Sequence, residues 1–552
     1  MRQTGSRRPS AARDPIVRAK IERALAGNAI AQAAKLAETA LAHGDLDPMI
    51  LNLVAWRREE AGDYVGAHRL LQQALTLAPG DPLILGAIGA VLRKEGLLDE
   101  AVAVLDQAIA AAPLHAATWL ERGYVFDALR FWDEARTSYE QALALDPMLA
   151  PALAKLADGA AKNGDARTGR DLADRALAID PREPTALCAM ATIDIEGRDG
   201  ISAEARMTAL LKTAVKGDDR TRAFTLLGDA LDRQDRPHEA FTAYTRAQRN
   251  FRSIYTKALS PTADRPSHRS FIETIAQQVR DAGIRPRATA EDQGSDPVAG
   301  AATRHVFLLG YPRSGTTLVE NVLASAPDVI ALEERDTLVD TDEVLVANDG
   351  TMPALDTLEP ARLQAFRTAY WQRVTAMAGG VVGKTFVDMN PFNGIKLPII
   401  ARLFPDAKIL IMRRDPRDIV LSCYRINFTP STAAWAFSDL DETARHYDAL
   451  MRLTELCREY LPLSYYEVRY DRLVTEFEDT VRELATFLGL PWTEDFRKFD
   501  RTAQNRGVRT ASATQVRRGL FDGRGQWRRY ADELAPVLPI LAPWVARFGF
   551  DT

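Results

Sequence analysis

Small apolar positions recur every 34 residues through the first third of the chain. One column reads Ala74, Ala108, Ala142 and Ala176, a second Ala67, Ala101, Ala135 and Gly169, a third Ala55, Gly89, Gly123 and Ala157. Prolines Pro79, Pro113, Pro147 and Pro181 keep the same spacing, five residues behind the first column. A period of this length predicts a helix–turn–helix unit, in which small inner residues let paired helices approach and the proline stops the second helix. Gly62, Gly96 and Gly164 fall at the turns of three such units. The repeats run from about Pro48 to Pro181, with a weaker one before them. Another lies at Leu226-Leu227-Gly228 through Ala240 and Tyr244, and residues 185–220 break the period.

Beyond Arg249 the pattern changes class. A helical stretch from Phe271 to Ala282 leads into turn formers between Arg285 and Pro297, read as an exposed linker. His305–Leu309 is then a short apolar run of strand character, followed by Gly310-Tyr-Pro-Arg-Ser-Gly-Thr-Thr317 and a helical run to Ser325. Lys408–Met412 is a second buried-type strand, ending in Arg413-Arg-Asp-Pro-Arg-Asp418 and a helix through Ser422. Strand character also marks Val381–Val387 and Leu461–Tyr466, and helical spacing marks Glu476–Leu488. The expected architecture is an all-helical solenoid followed by a parallel α/β domain. Its boundaries are a disordered stretch over 1–14, the solenoid over 15–255, a helical connector and linker over 256–302, and the α/β domain over 303–552.

Composition adds exclusions. With 46% apolar and 26% charged residues the chain buries a sizeable core, so wholesale disorder is excluded. No window approaches 18 uninterrupted apolar residues, and no apolar stretch follows Arg7-Arg8, so neither a membrane span nor an export signal is expected. Cys188, Cys423 and Cys457 are far apart and lack C-x-x-C spacing, which excludes a thiolate metal site and points to a reducing, cytoplasmic setting. A net charge of −5 gives no global reason to expect nucleic acid as partner. Locally the balance reverses: eight arginines and one acidic residue, Asp522, fall between Arg501 and Arg529. Such a stretch anchors a multiply charged nucleotide; a nucleic-acid patch is the competing reading, but it lacks interleaved aromatics.

The strand, glycine loop and helix at 305–325 make a phosphate cradle, with backbone N–H groups and a helix N-terminus directed at an anion. The spacing Gly310-x-x-x-x-Gly315 nearly matches the loop of nucleotide triphosphatases. That loop carries lysine after its second glycine; Thr316 stands there, and the cation, Arg313, lies inside the loop. Asp415 is set among Arg413, Arg414 and Arg417, a poor setting for magnesium.

The repeat columns, with Trp119-x-x-x-Gly123, resemble the tetratricopeptide repeat. Tyr311-Pro-Arg-Ser-Gly-Thr-Thr317 resembles the 5′-phosphosulfate loop of sulfotransferases, and Arg414 with Ser422 resembles their 3′-phosphate pair. The resemblance covers residues 303 to about 550. It implies transfer of a sulfuryl group from 3′-phosphoadenosine 5′-phosphosulfate (PAPS), without a metal, to a hydroxyl of a protein, peptide, glycan or carrier-bound acceptor. The repeats would bind a partner protein or the substrate. Pro327 followed by Glu333-Glu334 is similar to the tyrosylprotein branch and implies Glu334 as base, with Arg313 assisting. The cofactor-binding set carried over is Pro312, Arg313, Ser314, Gly315, Thr316, Thr317, Arg414, Ser422, Tyr470, Ser512, Arg524 and Trp527. Two departures stand out: Met389 where repeat-linked relatives carry lysine, and Gln526 where a basic residue is common. A P-loop hydrolase or kinase, and a repeat scaffold with a silent second domain, remain alternatives at this point.

Overall fold

The computed structural model describes residues 15–27, 29–283, 298–352, 355–506, 516 and 519–550. The 1–14 stretch, the expected linker at Arg285–Pro297 and Ser512 lie outside the described residues. Contacts divide the chain into two compact units, one essentially residues 1–190 and the other essentially 191–552.

The first unit is built of helical hairpins. After α1 (Pro15–Ala26) and α2 (Ile30–Ala42) come α3 (Pro48–Glu60) with α4 (Tyr64–Leu77), and α5 (Pro82–Glu95) with α6 (Leu98–Ala111). The next are α7 (Ala116–Leu129) with α8 (Trp132–Leu145), and α9 (Ala150–Lys162) with α10 (Ala166–Ile179). Every second helix ends two residues before its proline, as the spacing predicts. Asp47 and Asp81 cap α3 and α5 by accepting from Met49 N–H and Leu83 N–H, each at 2.9 Å. The alanines of the first column are fully buried. The glycines of the third column are sites of close approach: a Cβ on Gly89 would lie 2.5 Å from Leu105 Cγ, and one on Gly123 would lie 2.3 Å from Tyr139 Cε1.

The second unit begins with more helices: α11 (Pro184–Glu196) runs into it, followed by α12 (Gly200–Leu211), α13 (Gly217–Arg233), α14 (Pro237–Leu259) and α15 (His268–Ala282). In the α13–α14 hairpin a Cβ on Gly228 would lie 2.4 Å from Tyr244 Cε1, the same wedge found at Gly123 and Tyr139. Five parallel strands follow, β1 (Arg304–Leu309), β2 (Val329–Glu333), β3 (Thr385–Met389), β4 (Lys408–Arg413) and β5 (Ser464–Arg469), in the order β2-β3-β1-β4-β5. Two strands start later than their apolar runs. Gly383, at φ +78°, turns the chain before β3, and Pro462 separates the preceding helix from β5.

The inner strands are buried on both faces, which is why they read as continuous apolar runs. Val306, Leu308, Val387 and Met389 pack on one side with α16 (Thr316–Ala324) and its neighbours. Phe307, Leu309, Phe386 and Ile411 pack on the other, in a core that includes Ile272 and Ile275 of α15 and continues to Leu231 and Tyr244 of the α13–α14 hairpin. Because the chain leaves β1 toward β2 on one side and leaves β4 toward β5 on the other, the loops after β1 and β4 diverge and open a crevice at the carboxyl ends of the two strands.

Candidate active site

The loop after β1 enters this crevice in a forced conformation. Arg313 has φ +71° and Gly315 φ +110°, both in the left-handed region that disfavours a side chain. A Cβ on Gly315 would lie 2.9 Å from Tyr470 Cδ2, so glycine is required there for space as well. Thr316 and Thr317 are buried at the start of α16, and Cys423 Sγ–H donates to the Pro312 carbonyl at 3.4 Å. The Ser314 hydroxyl is buried without a hydrogen-bond partner.

Arg414 follows β4 and crosses to this loop. Its Nη1 donates to the Arg313 carbonyl at 3.1 Å and its Nη2 to the Gly523 carbonyl at 2.5 Å, while its guanidinium lies 4.6 Å from the Tyr470 ring centroid. Ser422 projects from α20 (Pro416–Arg425) and accepts from Arg313 Nε at 3.1 Å. Three residues up to 109 positions apart in sequence therefore meet at one point. Burial pulls the Arg313 pKa down to about 10, with Arg414 and Arg425 adding to the effect and Glu334 opposing it, so the guanidinium stays charged at neutral pH.

The segment after Phe521 closes one side. Tyr470 OH donates to the Phe521 carbonyl at 2.7 Å and accepts from Gly523 N–H at 3.2 Å. Asp418, buried in the first turn of α20, accepts from Gly525 N–H at 2.8 Å and Trp527 N–H at 2.9 Å. Trp527 lies against Arg417, 4.0 Å from its guanidinium carbon, and its indole Nε1–H is buried without a partner. Arg414 Nε is in the same state. Arg524 stands apart: it is half exposed and paired twice with Asp522 at 2.8 Å.

Glu334 follows β2 with φ +45°, and its N–H donates to the Met389 carbonyl at 2.8 Å. Met389 is fully buried in the sheet core and supplies this backbone contact rather than a cation. Lys384 stands at the other end of β3 and pairs with Asp328 at 2.8 Å, whereas Lys396 pairs with Asp336 at 3.0 Å and with Asp342. The turn after Glu334 is pinned by Asp388, whose Oδ2 accepts from Thr337 Oγ1 at 2.6 Å and Tyr370 OH at 2.7 Å. Burial raises the Asp388 pKa to about 6 against these two hydrogen bonds. On α16, buried Glu320 is pushed up to about 7 by desolvation and accepts from Arg506 at 2.8 Å. His446 is fully buried, with Nδ1 2.8 Å from Tyr311 OH and Nε2 2.7 Å from His268.

The arrangement thus combines a strained loop at a helix N-terminus, two converging arginines and three buried donors without partners. Buried donors without partners call for an acceptor, and a ligand held by the two arginines can supply it. A multiply charged nucleotide fits that donor set.

A sulfotransferase family model matches residues 305–494, and a tetratricopeptide repeat model matches residues 59–120. Residues 305–494 are a sulfotransferase-family domain. Among curated relatives, a protein of Aquifex aeolicus is 31% identical over 248 residues, covering 43% of this chain and 32% of that protein. The present chain thus spans about a third of that relative's length. Protein-tyrosine sulfotransferase 1 of Danio rerio is 23% identical over 266 residues, covering 45% of this chain and 72% of its own. The mouse protein of the same name is 24% identical over 268 residues, covering 45% and 69%. Among solved structures, a thermophilic tetratricopeptide-repeat protein of Thermus thermophilus overlaps 33% of this chain and 98% of its own, at 21% identity and a TM-score of 0.30.

Two contributors to the crevice escape sequence reasoning. Asp418 reads locally as a partner for the neighbouring arginines, yet it is Asp415 that takes Arg417, at 2.9 and 2.8 Å, and Asp418 that holds a segment more than 100 residues away. Asp388 lies beside Met389 and draws attention only as a neighbour of that departure. Neither role has a local signal, because each partner set is assembled by the fold. Among the described residues no group of three or more His, Cys, Asp or Glu side chains is placed to hold a metal ion, and no helix is long and apolar enough to cross a membrane.

Proposed function

We propose that the second unit transfers a sulfuryl group from PAPS to a hydroxyl of a protein, peptide or glycan acceptor, and that the repeats hold the acceptor or a partner protein. The reading rests above all on the convergence of Arg313, Arg414 and Ser422 beside the buried, unpartnered donors of Ser314, Arg414 and Trp527. In this scheme the loop 312–317 takes the 5′-phosphosulfate. Arg414 and Ser422 take the 3′-phosphate, and Tyr470 with Trp527 walls the nucleotide.

Glu334 removes the proton of the acceptor hydroxyl as that oxygen forms its bond to sulfur. The bond from sulfur to the bridging phosphate oxygen breaks, and the negative charge left on that oxygen is met by Arg313, Thr316, Thr317 and the N–H groups opening α16. Fixed donors of this kind contribute about 2.7–4 kcal/mol each in well-studied enzymes. With Met389 buried in the sheet and Lys396 held by two carboxylates, Arg313 is the cation assigned to the transition state. The wide separation of Cys188, Cys423 and Cys457 along the sequence supports a reducing, cytoplasmic setting.

The test is transfer of labelled sulfate from PAPS to proteins and glycans of a cell extract by the full chain. Transfer that is lost in Glu334→Gln supports the reading. Magnesium-dependent ATP turnover without sulfate transfer would replace it with a P-loop hydrolase.

A further inference from the structure

The segment that closes the crevice is fastened to the α13–α14 hairpin, which lies outside the matched family domain. Asp232, next to last in α13, is the hub. Its carboxylate accepts from Arg529 Nη1 at 2.9 Å and from the Tyr530 hydroxyl, and lies 3.7 Å from Arg425 Nη2. Its backbone carbonyl accepts from Arg529 Nη2 at 3.0 Å, and Asp235 Oδ1 takes the same nitrogen at 2.9 Å. Arg425 ends α20, three residues after Ser422; Arg529 and Tyr530 stand two and three residues after Trp527 in the same short turn. One carboxylate therefore grips both segments that border the crevice.

Surrounding contacts leave this grip little play. Asp229 accepts from Tyr244 OH at 2.8 Å, and the Arg425 guanidinium lies 5.4 Å from the Tyr244 ring and 5.9 Å from the Tyr530 ring. Gln248 of α14 donates to the Tyr424 carbonyl at 2.6 Å, and Phe241 stacks on Tyr424 with centroids 5.3 Å apart. Desolvation of Arg425 is outweighed by Tyr244, Asp232 and Asp229, which keep it charged.

We propose that Asp232 is a positioning residue for nucleotide binding: by holding Arg425 and Arg529–Tyr530 it sets where Gly523 and Trp527 meet Arg414. The hairpin that repeats the Gly123–Tyr139 wedge is then a working part of the transferase rather than of the partner-binding array. The proposal rests on the donor-site reading above.

Calorimetric titration of the full chain with 3′-phosphoadenosine 5′-phosphate, alongside donor KM and kcat, tests it. Asp232→Asn is expected to weaken nucleotide binding and raise the donor KM by about tenfold, with kcat at saturating donor within about twofold, since the wall holds the nucleotide equally in the ground and transition states. Asp106→Asn, which breaks a comparable pair with Arg122 in the first unit, is expected to change neither. Unchanged nucleotide affinity in a less stable Asp232→Asn overturns the proposal and leaves the donor reading intact. No binding by the wild-type chain overturns both. Should Asp232→Asn fail to fold, Arg529→Lys keeps the charge but loses the forked contact and is expected to give the same tenfold effect; unchanged affinity there overturns the proposal equally.

Discussion

In the repeats, Gly123 admits Tyr139, and that tyrosine's hydroxyl is satisfied by Asp127 at 2.7 Å. In the crevice, Gly315 likewise admits Tyr470, but beside it the Ser314 hydroxyl is buried with no partner. The same device, a glycine under an aromatic ring, serves packing in one place and borders the crevice of Arg313 and Arg414 in the other. Among the described residues, no buried side-chain nitrogen or oxygen of residues 15–190 lacks a partner, whereas Ser314, Arg414 and Trp527 each leave one around the crevice. An unsatisfied buried group costs about 1–3 kcal/mol. Other such atoms lie elsewhere in the second unit, at Thr385 and Thr480 among others, so it is the three donors together with the convergence of Arg313, Arg414 and Ser422 that single out the crevice.

Substitutions that separate the two regions sharpen this contrast. Glu334→Gln is expected to cut turnover by about 10²–10⁴-fold, the usual contribution of a general base, while nucleotide affinity holds; single-turnover kinetics with a titration read both. Arg313→Ala is expected to lower kcat by about 10²–10³-fold through loss of charge stabilisation at the leaving oxygen. An intact kcat would remove Arg313 from the chemistry. Gly123→Ala acts on the other side of the comparison. Despite better helix propensity, its Cβ would meet Tyr139 at 2.3 Å, and overpacking of this kind costs about 1–3 kcal/mol. Urea unfolding should report that loss with nucleotide affinity unchanged.

The last expected effect is a pH dependence. Asp388 titrates at about 6 in the fold against 3.8 when free, so the folded state holds its proton more tightly. Its contribution to stability is full below about pH 4 and is lost as pH rises toward 6. At 1.36 kcal/mol per pH unit this is about 2–3 kcal/mol at most. The stability of wild type relative to Asp388→Asn should fall across that window in denaturant titrations. A flat difference would mean that the carboxylate is no more strained folded than free.

The repeats were largely legible because their determinants are local. A column of alanines at a fixed period, a wedge sixteen residues from its aromatic and a proline after each second helix all lie within one hairpin. The glycine loop after β1 and the strands β1 and β4 were legible for a similar reason, since strand, glycine turn and helix are contiguous. What stayed hidden was assembled at long range. Asp418 and Asp232 act on residues 525–530, and the sheet order that brings Arg414 onto the Arg313 carbonyl is not written in either neighbourhood. Arg524 sits in an arginine-rich stretch, and its pairing with Asp522 is visible only in the fold. Ser512 lies outside the described residues.

The most direct test of the account is calorimetric titration of 3′-phosphoadenosine 5′-phosphate into the full chain and into Arg414→Ala. The account predicts saturable binding by the wild type, with a matching rise in melting temperature because the ligand binds only the folded state. In Arg414→Ala the affinity should fall by about 30-fold or more, the usual consequence of truncating one partner of a buried charged contact. Absence of binding at millimolar nucleotide, or equal affinity in the two proteins, would contradict it.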